Sequence, residues 1–363
     1  MQQPQVPGAQ PVGPFFGLPP ARGSSVAAFV CRLVAYGIGV AGLLTLVGGV
    51  VIGTILIPVA PSGGAEAVIF TVPAGSTAEE IGMRLEEAGL IRSARHFQLA
   101  NRVLGLDERL QAGEYLLSPE MDLLTIIRRL EQGQVRTVRV VIPEGVNLRQ
   151  IADILDRHGL VNRERFLELA LDDSKVYGAN RPIRKPVPSL EGYLFPDTYI
   201  LTPSMTEEQI IRRMVSRFLE VAAPVIREHP APLGLDLHQV VTLASIVEAE
   251  ALYAREHPII ASVFLNRLRS GMPLQADPTV QYVLEERRSR LLYADLEVDS
   301  PYNTYRYSGL PPGPISSPGL SAIRGVLSPA ETDYYFFVAR GDGTHVFTRT
   351  FNEHVRARRQ VGR

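Results

Sequence analysis

The sequence predicts an α+β protein carried on a single N-terminal transmembrane helix. Three observations predict it. An uncharged apolar run spans Leu33 to Ile57, a strand–turn–helix–helix pattern occurs twice, and alternating apolar runs close the chain after a series of helical segments. The 363 residues leave room for one or two globular domains. The apolar share, 45%, is that of an ordinary folded chain. With 37 basic and 38 acidic side chains the net charge is −1, without the basic excess that a nucleic-acid partner asks for. Cys31 is the only cysteine, which excludes an internal disulfide, a CxxC motif and a cysteine-rich zinc site.

Residues 1–32 are expected to form a disordered cytoplasmic tail, because residues 1–25 are dominated by Pro, Gln and Gly. Residues 33–57, "LVAYGIGVAGLLTLVGGVVIGTILI", follow without a charge. As a helix they measure about 37 Å, enough to cross a hydrocarbon core of roughly 30 Å. A cleaved signal would have a shorter apolar region close to the N-terminus. Arg22 and Arg32 precede the run, and no charge follows it until Glu66. The positive-inside rule then places the N-terminus in the cytoplasm and the rest of the chain on the far side. Residues 58–65 read as a short linker.

An internal repeat comes next. "VPAGSTAEEIGMRLEEAGLIRSARHFQLA" over 72–100 is matched by "IPEGVNLRQIADILDRHGLVNRERFLELA" over 142–170. Pro73, Gly75, Ile81, Leu85, Gly89 and Leu90 return as Pro143, Gly145, Ile151, Leu155, Gly159 and Leu160. Each copy predicts a strand ("AVIFTV", "VRVVI"), a Pro-x-Gly turn, an amphipathic helix ended by Gly, and a second helix. The first copy continues into a return strand, "LQAGEYLLSP", and a helix near Leu123–Leu130. Residues 68–118 resemble a LysM-type module, a small βααβ glycan-binding fold, although a spacer without a ligand fits the same residues. The module is assigned residues 66–135.

Residues 136–356 are read as a second, α+β domain. "PSLEGYLFPDTYIL" (188–201) is dense in aromatics and acids, a helix follows near Glu207–Val221, and "HPAPLG" breaks the chain. Asp236, with Gln239 three residues on, has the pattern of a capping box at the start of the next helix. A further helix is expected near Pro258–Arg269. Residues 271–320 are rich in turn formers, and "YYFFVA" and "THVFTRT" around "GDG" predict a hairpin. Residues 352–363 read as a loose basic segment, of which 357–363 is counted as a tail.

The chemistry has few starting points. No GxSxG, HExxH or P-loop pattern occurs, and the spacing of His345 and His354 suggests no metal site. No cofactor and no metal are expected. What remains is carboxylates among aromatics and Gly/Pro turns, a mixture suited to a carbohydrate groove. Glu191, Tyr193 and Asp197 lie in one such segment, Gln275 and Asp277 in another, and Asn303 and Tyr305 in a third. For each, a structural role competes: Asp277 before Pro278 is a common turn starter, and Tyr193 alternates with Phe195 like core residues. In "TLASIVEAEALY" (242–253), helical periodicity aligns Glu248 with Val241, Ala244 and Leu252, where an apolar residue belongs. Either its stem packs on the core while its head reaches water, or a partly dry carboxyl serves as a general acid.

"LEGYLFPDTY", "ASIVEAEA", "FLNRLRSGMPLQADPTVQY", "YNTYRYSGLPPGPISSPG" and "YFFVARGDGTHVFTRTFNEH" resemble, in this order, signature stretches of the MltG/YceG-like endolytic murein transglycosylases. The resemblance covers most of residues 66–356, and an anchor followed by a LysM-like region is that family's layout. It implies that Glu248, in the "SIVE" motif, is the catalytic residue, with acidic Glu250 beside it. It implies cleavage of the MurNAc–GlcNAc β-1,4 bond within nascent peptidoglycan strands, a 1,6-anhydroMurNAc end, and termination of strand elongation. It further implies a bacterial inner-membrane protein with a periplasmic catalytic domain, peptidoglycan as partner, and the synthases as neighbours. A hydrolytic muramidase, with Asp197 or Glu191 as second carboxylate, and a non-catalytic wall-binding anchor are the rival readings.

Overall fold

A computed structural model describes residues 24–61, 64–284, 288 and 290–362. Of the tail expected over residues 1–32, residues 1–23, Arg22 among them, lie outside these. The described residues divide into two compact units, one within 24–68, 75–111 and 117–132, the other within 69–74, 112–116 and 133–362.

The first unit holds α1 (Ser24–Leu56), which starts nine residues before the expected span and includes Arg32. Within it, Phe29–Leu46 has a mean hydropathy of 1.9 and is long and apolar enough to cross a membrane. Arg92 donates to Pro58 O at 2.8 Å, which ties down the linker. Two helices of the first repeat follow, α2 (Ala78–Glu87) and α3 (Ala94–Leu104). They meet where Gly82 leaves space, since a Cβ there would approach Phe97 Cδ1 to 3.0 Å. After the strands of this repeat comes α4 (Leu123–Glu131), which buries Leu123, Ile126, Ile127 and Leu130, a 3.6-residue period.

In the second unit, β1 (Val68–Val72) pairs with β2 (Gly113–Leu117). β3 (Val138–Val141) opens the second repeat, with α5 (Leu148–Arg157) and α6 (Arg163–Ala170) after it. Both copies therefore have the order strand, capping-box helix, helix, and in both the first helix is closed by a left-handed glycine, Gly89 at φ +67° and Gly159 at φ +65°. Past α7 (Ser174–Tyr177), β4 (Thr198–Leu201) returns antiparallel to β3 with Val140 opposite Tyr199.

The core of this unit is helical. α8 (Glu207–Glu228), α9 (Leu237–Glu250), α10 (His257–Arg269), α11 (Asp277–Val283), α12 (Tyr293–Leu296) and α13 (Leu320–Leu327) follow in order. α9 is packed against α8, α10, α11 and α13. The hairpin of β5 (Phe336–Ala339) and β6 (His345–Thr348) is antiparallel and is pinned by Glu256, which takes the His345 N–H and ring at 3.1 and 2.7 Å. The final segment is not loose. It forms α14 (Phe351–Val361), started by a Thr350–Glu353 capping box, with Arg358 and Arg359 at its C-terminal end, where cations are favoured.

Candidate active site

α9 begins as its sequence indicates. Asp236 accepts the Gln239 N–H at 2.8 Å, and Gln239 returns the bond to the Asp236 N–H at 3.0 Å. The helix then runs fully enclosed from Val240 to Val247. It has no single apolar stripe, because neighbours surround it on all sides. Leu252, expected on the Glu248 face, lies beyond the end of the helix and is 69% exposed. Glu248 and Glu250 sit in the last turn, both half-buried.

The loop after "PPGP" lies along α9 and is held there by three hydrogen bonds. Ile315 N–H donates to Ser245 Oγ at 3.0 Å, Ser316 Oγ to Ser245 O at 3.2 Å, and Gly319 N–H to Glu248 Oε2 at 3.0 Å. Residues 245 and 248 are one helical turn apart, so one side of α9 carries the whole strap. The Pro-x-Gly turn of the second repeat meets the same strap, with Gly145 N–H bonded to Ser317 O at 2.9 Å and Ser317 N–H to Val146 O at 2.8 Å. Gly145 has φ +76°, and a Cβ there would stand 3.5 Å from Glu248 Cγ. Exposed Glu144 reaches Gly319 from the other side: a Cβ on Gly319 would overlap its carboxyl group.

Burial pushes the Glu248 carboxyl up to about 7; the Gly319 N–H opposes this and the Glu144 charge adds to it. The C-terminal end of α9, the negative end of its dipole, acts in the same direction. Two other carboxyls are also raised. Glu191, pushed up to about 7 by burial, is held by the Leu148 N–H at 3.1 and 3.2 Å to its two oxygens. Glu250 is pushed up to about 8 by burial and by Asp277, against the pull of Arg267. The position of Glu248 differs from that of Glu191: Oε2 is engaged, while Oε1 has no hydrogen-bond donor among the described residues.

The YceG-like family model matches residues 70–360. The chain belongs to the YceG-like family. It is 36% identical over 310 residues to the endolytic murein transglycosylase of Bacillus subtilis (strain 168), covering 80% of this chain and 84% of that protein. The protein of the same name from Streptococcus pneumoniae serotype 2 is 31% identical over 295 residues, which is 74% of this chain but 53% of that longer protein. A crystal structure of a yceG-like protein from Listeria monocytogenes aligns with a TM-score of 0.53 at 35% identity, covering 81% of this chain and 100% of that one.

In this YceG-like chain the sequence-predicted site residues separate into two sets. Glu250 and Asp277 are close enough to act on each other electrostatically, and Tyr305 joins them by donating to Asp277 Oδ1 at 2.5 Å. Exposed Gln275 precedes them with φ +49°, a conformation uncommon outside glycine. The other set has partners within the fold. Tyr193 is fully enclosed, its ring against Phe218 and its hydroxyl 2.7 Å from His238 Nδ1. His238 Nε2 faces Pro312 O at 2.8 Å; a carbonyl only accepts, so Nε2 carries the hydrogen and Nδ1 accepts from Tyr193. Asn303 is also fully enclosed and donates to Leu296 O and Val298 O, both at 2.8 Å. Glu191 is buried under its Leu148 bonds, and Asp197 pairs with Arg217 at 2.6 Å. The polar atoms named in Tyr193 and Asn303 are thus taken up within the protein.

Sequence reasoning did not single out Glu144. The signal was in the repeat, where Pro73-Ala74-Gly75 of the first copy becomes Pro143-Glu144-Gly145 in the second.

Proposed function

We propose that the protein is an endolytic peptidoglycan lytic transglycosylase with Glu248 as its acid and base. The observation that carries this reading is a half-buried carboxyl raised to about 7, with one oxygen held by Gly319 N–H and the other without a donor among the described residues. The names of its relatives in Bacillus subtilis and Streptococcus pneumoniae support the substrate class.

Protonated Glu248 donates to the bridging oxygen as the MurNAc C1–O bond opens, and the bonding pair leaves with that oxygen. The carboxylate so formed takes the proton of the MurNAc 6-hydroxyl while O6 bonds to C1. Atoms balance without water: one glycosidic bond is exchanged for an intramolecular one, and Glu248 ends protonated as it began. The nucleophile belongs to the same sugar, so proximity supplies much of the rate. The carboxylates that a hydrolytic mechanism was expected to use, Asp197 and Glu191, are engaged by Arg217 and Leu148, and the relatives' names favour the transglycosylase over the muramidase.

α1 serves as a single-pass anchor with the N-terminus in the cytoplasm and the remainder on the outer side of the membrane. Anchoring keeps the site at high effective concentration near lipid-linked nascent strands, and the synthases that extend them are the expected neighbours. Residues 66–135, which contain the first repeat, are read as a LysM-like module, and residues 136–356 as the catalytic domain.

The test is mass analysis of products from uncrosslinked glycan treated with the full-length protein in detergent. Internal fragments one water lighter than hydrolysis products are expected, and Glu248→Gln, which keeps shape but not proton transfer, should lower the rate by ~10²–10⁴-fold. Hydrated reducing ends from the wild type, or full cleavage by a folded Glu248→Gln protein, would refute the reading.

A further inference from the structure

We infer that Glu144 is a second catalytic carboxylate of this site, the anion that faces the positive charge built up on the sugar as the glycosidic bond opens. The inference rests on the transglycosylase reading above. Glu144 is exposed and has no hydrogen bond or ion pair among the described residues, so the fold has no evident use for its charge. Its backbone, by contrast, is fixed. It sits between Pro143 and left-handed Gly145, and the following main chain is bonded on both sides to Ser317, at 2.9 and 2.8 Å. A rigid turn thus presents a carboxylate to Gly319, the residue whose N–H holds Glu248. The equivalent turn of the first repeat carries Ala74 at this position.

Cleavage of a glycoside passes through an oxocarbenium-like state, with positive charge shared by C1 and the ring oxygen. A fixed anion beside the donor stabilises that charge without being consumed. Glu248 is protonated when the bond begins to break and does not offset the charge at that moment. Glu144 needs to transfer no proton, and since O6 is the nucleophile it has no water to activate.

Other charges near the end of α9 have partners or lie elsewhere. Asp277 of α11 and Arg267 of α10 act on Glu250. His257 of α10 meets Ser321 Oγ at 3.0 Å, Arg217 of α8 pairs with Asp197, and Arg324 of α13 is exposed. Among the described residues, the Glu144 charge raises the Glu248 carboxyl.

The experiment measures kcat, KM and the pH profile of the full-length protein on uncrosslinked glycan, for wild type, Glu144→Gln, Glu144→Asp and Glu248→Gln. Glu144→Gln should melt with the wild type, lose roughly 10–100-fold in kcat with little change in KM, and lose activity at lower pH than wild type on the alkaline side, because a like charge has left Glu248. Glu144→Asp keeps the charge and should recover part of the rate. If Glu144→Gln matches the wild type in kcat and pH profile while Glu248→Gln is inactive, the inference fails and the transglycosylase reading stands. A rise in KM alone makes Glu144 a binding group and also overturns it. If the wild type forms no anhydro ends, the reading fails, and this inference with it.

Discussion

Glu248 stabilises nothing by being charged where it is. Its carboxyl is raised to about 7, so the folded state favours the protonated form. Below the ordinary carboxyl range it is protonated whether the chain is folded or not, and no penalty arises. As pH rises from that range to about 7 the unfolded chain ionises first, and stability falls. Removing the charge should therefore stabilise: Glu248→Gln is expected to raise the melting temperature at pH 8, by ~1–3 kcal/mol in stability, and to leave it nearly unchanged at pH 4. A melting difference independent of pH would contradict the burial argument. For the same reason, wild-type kcat/KM should fall as pH rises through about 7. Glu191 is raised in the same way by burial, but its carboxyl also has a structural use. Its carboxyl holds the first N–H of α5, and Glu191→Ala should cost about 1–3 kcal/mol through the unpaired groups left behind, read as a shifted denaturation midpoint.

At the scale of elements, local chemistry starts the helices and close approach positions them. The Asp236–Gln239 box was readable directly, since three-residue spacing is all that the motif needs. Asp236→Ala should cost about 1 kcal/mol while the activity of the folded fraction is unchanged. Gly192 is a different case. It has φ +82°, and a Cβ there would meet Pro314 Cβ and Cγ at 2.5 and 2.6 Å and Val241 Cγ1 at 3.2 Å. Gly192→Ala should combine backbone strain with overpacking, about 2–4 kcal/mol together, and push the strap away from Ser245. Its expected mark is a lower melting temperature with reduced activity even in the folded protein. Wild-type activity per folded molecule would sever the link between strap and site.

For the whole molecule, the testable statement concerns α1. Two arginines precede the apolar segment and no charge follows it until Glu66. Reporter domains fused after residue 60 should be active only where the reporter functions outside the cytoplasm. Activity confined to a cytoplasm-dependent reporter would invert the orientation and separate the site from its wall substrate.

Features that depend on neighbours in the chain were legible without the fold. The apolar helix, the caps, the twofold strand–helix–helix order and the C-terminal hairpin all arise from periodicities and spacings of a few residues. Glu248 stood out because an ionisable residue broke such a pattern, and family resemblance gave it a role. Tertiary structure alone decided which polar groups were already paired. Tyr193 and Asn303 have the composition of a sugar groove, yet His238 and the carbonyls of Leu296 and Val298 take their polar atoms, and those partners were not apparent from local spacing. The same holds for Glu144, which is 104 residues from Glu248 in the chain. Only the pairing of its turn with Ser317 brings the two carboxyls to the same glycine, because proximity in a folded chain is set by the closure of long loops around a common core and not by local pattern.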